Sequence, residues 1–356
     1  MKIFIIITGG RTGSGFLHSI LDGHPQICYF PGEFFFDEFF ESARKEKSAV
    51  SIAKLFCKEY KYFFDSRYNK FERFNKLGES KKDFFLVNKE KFIKYFIKFH
   101  KIKDNNKLSL LKNLHFAYAA TKKENLKKKK ILLLHLHHGF RLKIFKDLNY
   151  EILYTIRDPK TNLSSFFSSW RRYKKQVIDP WSYYFNMKRV IRGLQELKSY
   201  KNKIHVIKLE DMHLRNKFIV KQLCNTLKIK FEKILNYSTF HKKKWWGDMA
   251  MKKFLNGANK KFINKFDNSL FFDKDIYFIE KSLKNFMTRY NYPFSFKKKK
   301  YNYLYIIFPF KMEIIMFNHS LKNKKLKNIF EVFYFYIRRV LLFIISDIRQ
   351  VLSKKK

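Results

Sequence analysis

With 356 residues, 46% hydrophobic and 19% aromatic, the chain has enough apolar material for one large core or two smaller ones. Its 11 Gly, 6 Pro and 43 Phe exclude a collagen, coiled-coil or disordered scaffold. A formal net charge of +47 suits anionic partners, among them sulfated or phosphorylated sugars and anionic membrane surfaces, yet only 15 of the 77 basic side chains are Arg. A phosphate-gripping nucleic-acid binder favours the bidentate guanidinium, whereas here Lys rises with Phe, Ile, Asn and Tyr along the whole chain. The charge therefore reads as compositional drift, and nucleic acid is not the expected partner. Cys28, Cys57 and Cys224 form an odd set without CxxC spacing, which argues against disulfides and structural zinc and fits a reducing, cytoplasmic location.

In chain order, Ile3 to Ile7 is too short for the core of a secretion signal and runs into Gly9-Gly10-Arg11 rather than a cleavage site, so none is expected. The run instead predicts a buried parallel strand, followed by a glycine loop and a helix carrying Phe16, Leu17, Ile20 and Leu21 and stopped by Gly23 and Pro25. Residues 34–130 read as a lysine-rich helical insertion or cap, with Phe35, Phe36, Phe39, Phe40 and Phe92, Ile93, Phe96, Ile97 at helical spacing. Further strands are expected at Ile131 to Leu136, Ile152 to Ile156 and Ile204 to Leu209, with a helix after Pro159 and a last one over Ser282 to Tyr290. Strands alternating with helices predict an α/β fold with a central parallel sheet, P-loop-like and three-layered.

Residues 297–356 form a separate basic, hydrophobic extension. Its most apolar stretch, Ile329 to Ile348, puts Arg338 and Arg339 at the centre, which argues against a membrane span. Two arrangements stay open: a helix packed on the domain or a second subunit, or a helix in the headgroup region with its arginines snorkelling, giving peripheral membrane contact through 301–356.

Two segments carry chemistry. In Thr8-Gly9-Gly10-Arg11-Thr12-Gly13-Ser14-Gly15-Phe16-Leu17 a strand gives way to a helix through four glycines, where backbone N–H groups and the helix dipole favour an anion. Gly10 and Gly15 have Walker A spacing, but Phe16 and Leu17 replace the Lys and Ser/Thr that would clamp a β/γ-phosphate and hold magnesium. The second segment places Arg157 at a strand end and Ser165 eight residues on, able to address one phosphate from two sides. Taken alone, Arg157 fits better a pairing with Asp158 or a helix C-terminus, and Ser165 a solvated helix serine.

Together the segments resemble the sulfotransferases that use 3′-phosphoadenosine 5′-phosphosulfate (PAPS). Arg11-Thr12-Gly13-Ser14 is similar to that family's 5′-phosphosulfate loop, and Leu21-Asp22-Gly23-His24-Pro25 to its tyrosylprotein-sulfotransferase-like and bacterial members. Arg157 and Ser165 match its 3′-phosphate pair, Lys208-Leu209-Glu210-Asp211-Met212 its late strand, and Trp245-Trp246-Gly247-Asp248 the segment closing over the nucleotide. The resemblance covers residues 1–296 and implies a sulfotransferase domain there.

It implies PAPS as co-substrate, bound by Arg11, Thr12, Gly13, Ser14, Gly15, Phe16, Arg157, Ser165, Trp246 and Gly247, with Arg11 stabilising the leaving group. Many members carry two threonines where this chain has Ser14 and Gly15, which removes one hydroxyl.

The base is Glu33, by resemblance to the tyrosylprotein branch, or His135, by resemblance to the cytosolic sulfotransferases; Glu33 as a helix-start acid and His135 as a core histidine remain open. His135, His137 and His138 come without a Cys or acidic companion and on opposite strand faces, so no metal is expected. The acceptor expected is a carbohydrate or glycolipid hydroxyl, since sugars stack on aromatics and anionic ones are steered by lysine. The rival readings are a P-loop-like nucleotide kinase and a non-enzymatic basic protein binding nucleic acid or a membrane surface.

Overall fold

The structure is a computed structural model, described for all residues except 102–105, 174–175, 196, 198–199, 201, 251–253, 255, 264–265, 297–300 and 353–356. The start of the extension and its last four residues thus lie outside the described residues. The chain divides into two compact units, one comprising 1–8, 13–156 and 202–260, the other 9–12, 157–201 and 261–356.

The first unit is built on a five-stranded parallel sheet of β1 (Lys2–Thr8), β2 (Ile27–Tyr29), β3 (Ile131–His137), β4 (Tyr150–Ile156) and β5 (Ile204–Lys208), in the order β2-β3-β1-β4-β5. Ile3 to Ile7 are all buried because a central parallel strand is covered on both faces, which is why the run shows no alternation. The expected α/β fold is present. Four strands follow the sequence reading closely, whereas β2, three residues between Pro25 and Pro31, is too short to show a period.

Between the strands run α1 (Ser14–Leu21), which packs on β1, β3 and β4, then α2 (Phe36–Ala43), α3 (Ala49–Glu59), α4 (Lys61–Phe64), α5 (Lys89–Phe99) and α6 (Lys107–Thr121), the last resting on β2. Asn88 and Asn106 cap α5 and α6 through their side-chain oxygens, satisfying first-turn N–H groups. These helices share an aromatic core with the β2 exit. Phe30 stacks on Phe63 at 5.0 Å and 3°, and Phe34, Phe56 and Tyr60 close around them. The unit continues after β5 with α9 (Leu209–Leu214), α10 (Asn216–Leu227) and the short hairpin β6 (Thr239–Phe240) and β7 (Lys243–Lys244). The Glu210-Asp211 pair opens α9 instead of closing the strand, where two acids suit the positive end of a helix.

The second unit is helical, with α7 (Pro159–Tyr173), α8 (Pro180–Gln195), α11 (Asp273–Ser282), α12 (Lys284–Arg289), α13 (Lys311–Lys322) and α14 (Leu326–Leu352). The described part of the extension packs here, α14 lying on α8, α11 and α13. Buried ion pairs hold it. Lys160 Nζ reaches Glu280 Oε1 at 2.8 Å and donates to the Pro293 carbonyl at 2.6 Å. Arg339, fully buried, forks onto Glu313 at 3.0 and 2.8 Å, donates to the carbonyls of Ile306 and Phe308, and stacks over Phe310. No described helix is long and apolar enough to cross a membrane.

Candidate active site

The loop after β1 takes its shape from backbone conformations and spaces that side chains would not tolerate. The backbone is left-handed at Gly10 (φ 82°), Arg11 (φ 52°) and Gly13 (φ 87°). A Cβ at Gly10 would stand 2.5 Å from Phe166 Cζ and 2.9 Å from Arg189 Nη1, and one at Gly13 would stand 2.4 Å from Leu209 Cδ1. Gly15 is different, because a Cβ there would meet Trp245 Cη2 at 3.6 Å, an ordinary contact. Gly13 occupies the N-cap of α1 and offers no capping side chain, so the first-turn N–H groups keep their capacity for an anion. Thr12, Ser14 and Phe16 are buried, and Phe16 stacks on His213 at 4.6 Å.

Within the second unit, the segment after β4 meets this loop. Arg157 is buried and its Nη1 donates to the Arg11 carbonyl at 3.5 Å, across 146 positions of sequence. Asp158 caps α7, its Oδ1 accepting from Thr161 N and Oγ1 at 2.9 Å, with Pro159 in the first helical position, where its missing N–H costs nothing. Ser165 is half-buried on the same helix. Arg189, on α8, brings a third guanidinium group to Gly10.

Within the first unit, the ends of β2 and β3 assemble a polar cluster. Phe34 N donates to the His135 carbonyl at 3.0 Å, and this bond sets Glu33 beside the end of β3. There the ladder is irregular: Ile6 pairs with His135 but Ile7 with His137, so a bulge skips Leu136 and leaves His137 left-handed at φ 65°. Glu33 Oε1 lies 2.8 Å from His137 Nδ1. The donor atoms of Glu33, His135 and His137 all fall within 4.8 Å of one another, a spacing able to hold a cation. The histidines therefore do have an acidic companion, supplied from about a hundred residues away, contrary to the sequence reading. Burial opposes ionisation of Glu33, but the charge and hydrogen bond of His137 outweigh it, with His135 and His138 adding to them, and hold the carboxyl down at about 2. His135 is buried with Nε2 lacking a hydrogen-bond partner, and burial pushes it down to about 4, so its ring is neutral near pH 7.

The sequence profile of the sulfotransferase family matches residues 3–233. The chain belongs to the sulfotransferase family. Among solved structures it is similar to the sulfotransferase domain from the Synechococcus PCC 7002 olefin synthase, at 13% identity over 74% of this chain and 86% of that one, with a TM-score of 0.41. It is also similar to the sulfotransferase domain from the curacin biosynthetic pathway, at 16% identity over 82% and 98%, with a TM-score of 0.40. No curated protein matches it significantly.

Other motif residues of this sulfotransferase serve the frame. Asp22 accepts from Thr239 Oγ1 at 2.7 Å and from the backbone N–H groups of His241 and Lys242, pinning the β6–β7 turn, while His24 bonds the Lys230 carbonyl at 2.9 Å. Trp246 donates to the Gly78 carbonyl at 2.7 Å under the ammonium groups of Lys81 and Lys244; Gly247 follows at φ 78°, and the tryptophan adjoining Gly15 is Trp245. Two residues escaped sequence reasoning as site members. Arg189 lies in an ordinary amphipathic helix, and the bulge that turns His137 has no sequence mark.

Proposed function

We propose that this protein transfers the sulfuryl group of PAPS to a carbohydrate or glycolipid hydroxyl in the cytoplasm, and that it stands nearest the tyrosylprotein-sulfotransferase-like bacterial branch. The observation that carries the donor assignment is the Arg157 to Arg11 contact, because it joins the two anion-binding motifs that the family places on one doubly phosphorylated adenosine.

In this reading the N–H groups of Gly13, Ser14, Gly15 and Phe16, with the Thr12 and Ser14 hydroxyls, hold the 5′-phosphosulfate, and Arg157 and Ser165 hold the 3′-phosphate. Arg189 adds charge on the loop side, and the segment of Trp246 and Gly247, anchored at the Gly78 carbonyl and bringing its neighbour Trp245 to Gly15, closes over the nucleotide. The acceptor oxygen forms a bond to sulfur as the bond from sulfur to the 5′-phosphate oxygen breaks, and adenosine 3′,5′-bisphosphate leaves with that electron pair, its new charge met by Arg11.

The acceptor proton goes to the Glu33 cluster. A carboxyl held down at about 2 is a weak base alone, but its Oε1 lies 2.8 Å from His137 Nδ1, and the role of proton acceptor falls in this reading to the His137 ring, with Glu33 beside it. Glu33 then acts by orienting His137 and balancing its charge, and His135 is the neighbouring alternative. Melting with adenosine 3′,5′-bisphosphate against ATP plus magnesium tests the reading. The bisphosphate is expected to raise Tm by several degrees and ATP to do little; a shift with ATP alone would support the kinase instead.

A further inference from the structure

The inward face of α14 is fully used, by Arg339 on Glu313 and by buried Val332, Leu342 and Phe343. Its outward face is not. Leu326, Phe330, Phe333, Ile337, Leu341, Ile345 and Ile348 are all exposed, Phe330 to 74%, and recur at three- and four-residue steps. At 1.5 Å per residue this stripe runs about 33 Å along one side of the helix. The 3₁₀ turn at Tyr303–Ile306, held to the same helix through Arg339, adds exposed Leu304 and Tyr305. A soluble surface rarely carries so long an apolar ridge without a partner.

The charges bordering the ridge choose the partner. The exposed charged residues of α14 are Lys327, Arg338 and Arg349, all basic, and Lys322, Lys324 and Lys325 crowd the turn before it. A two-fold pairing with a second copy would set like charges beside one another. An anionic bilayer surface accepts the aromatic and aliphatic ridge among its acyl chains and the cationic border at its phosphates. The buried Arg339–Glu313 pair keeps the helix against its own unit, so it lies along the surface and does not cross it. We propose that the α13–α14 hairpin docks the enzyme on an anionic lipid surface, with α14 flat in the headgroup layer.

The test uses the full chain with vesicles of phosphatidylcholine alone or with about a third phosphatidylglycerol. Sedimentation with the anionic vesicles only is expected, together with a blue shift of the added Trp emission in Phe330→Trp. Because a protein of charge +47 adheres weakly to any anionic surface, a paired control decides. Phe330→Glu with Ile337→Glu is expected to weaken vesicle binding at least tenfold, while Lys54→Glu with Lys91→Glu, a larger change of charge on exposed helices elsewhere, is expected to weaken it less than threefold. Equal losses in the two double variants, or an unshifted Phe330→Trp emission, overturn the proposal. So does a dimer that the Glu pair dissociates without any vesicle binding, which would assign the ridge to a second copy.

Discussion

The two units of the chain differ in the polar groups they bury. The first buries histidines: ten of the eleven lie in it, and His18, His115, His135 and His241 are pushed down by burial, beside a buried ion pair of Lys129 with Glu124. The second buries its chemistry charged and paired, as in Lys160–Glu280 and Arg339–Glu313, and it contains the three guanidinium groups gathered about Gly10 and Arg11. In the proposed reaction the contrast gives each unit a different task. A group that must take a proton needs a site where its charged form is not already saturated with partners, and an anion needs fixed cations that never titrate.

The sharpest way to break this division is by kinetics. Glu33→Gln and His137→Asn are expected to lower kcat by about a hundredfold to ten-thousandfold while leaving adenosine 3′,5′-bisphosphate affinity within a factor of three. Arg157→Ala and Arg189→Ala are expected to do the reverse, weakening bisphosphate binding tenfold or more. Calorimetric titration alongside initial rates reads both. A Glu33→Gln enzyme with normal kcat would remove the cluster from the mechanism, and His135→Asn would then be the next substitution to assay.

Second in size is the buried fork of Arg339. Arg339→Met leaves the Glu313 carboxylate without its partner in an apolar setting, an expected loss of about 3–5 kcal/mol. Arg339→Met combined with Glu313→Leu is expected to recover most of it, and urea unfolding followed at α14 measures both. If the single variant loses under 1 kcal/mol, the second unit is not held by its ion pairs.

Most of the first unit could be read before any coordinates, because a buried parallel sheet leaves unbroken apolar runs and a phosphate loop leaves glycines. The β1 loop and Arg157 were visible as separate motifs for the same reason. Their contact was not, since it joins residues 146 positions apart that no local pattern links. The Glu33–His137 pair was illegible because a bulge is a backbone event: skipping Leu136 in the ladder re-aims a histidine without changing the residue pattern. The tail was legible as apolar and basic, but that Arg339 turns inward while its neighbour Arg338 faces out is decided by Glu313, twenty-six positions away.

Acid separates the units by sign. His115 and His135, each at about 4 in the folded chain against an ordinary 6.5, bind protons more readily unfolded. Their stabilisation is complete above pH 6.5 and is lost as the pH falls toward 4, by about 3 kcal/mol each. Glu33, depressed to about 2, adds a further loss below pH 4.5. In the second unit burial raises Asp275 to about 6 against an ordinary 3.8, so its contribution is complete below 3.8 and is lost as the pH rises through 6. Acidification from pH 7 to 4.5 is therefore expected to lower protection in β1 and β3 and to spare or strengthen α11. Hydrogen exchange, corrected for intrinsic rates, reads this directly, and equal loss in both would erase the contrast.

The smallest expected effect sharpens the loop itself. Gly15 lies inside α1 without a left-handed backbone, and a Cβ there meets only ordinary contacts, so Gly15→Thr is expected to fold with Tm changed by no more than a few degrees. Gly10→Ala and Gly13→Ala each drive a Cβ into a neighbour under 2.6 Å away in a left-handed conformation, and are expected to cost well over 1 kcal/mol. If the loop binds the 5′-phosphate, the added threonine hydroxyl supplies one more phosphate contact, and bisphosphate affinity is expected to rise by about twofold to fivefold. A Gly15→Thr variant that folds well yet binds the bisphosphate more weakly would mean that the loop approaches its ligand at Gly15 by backbone alone, with no room for a side chain.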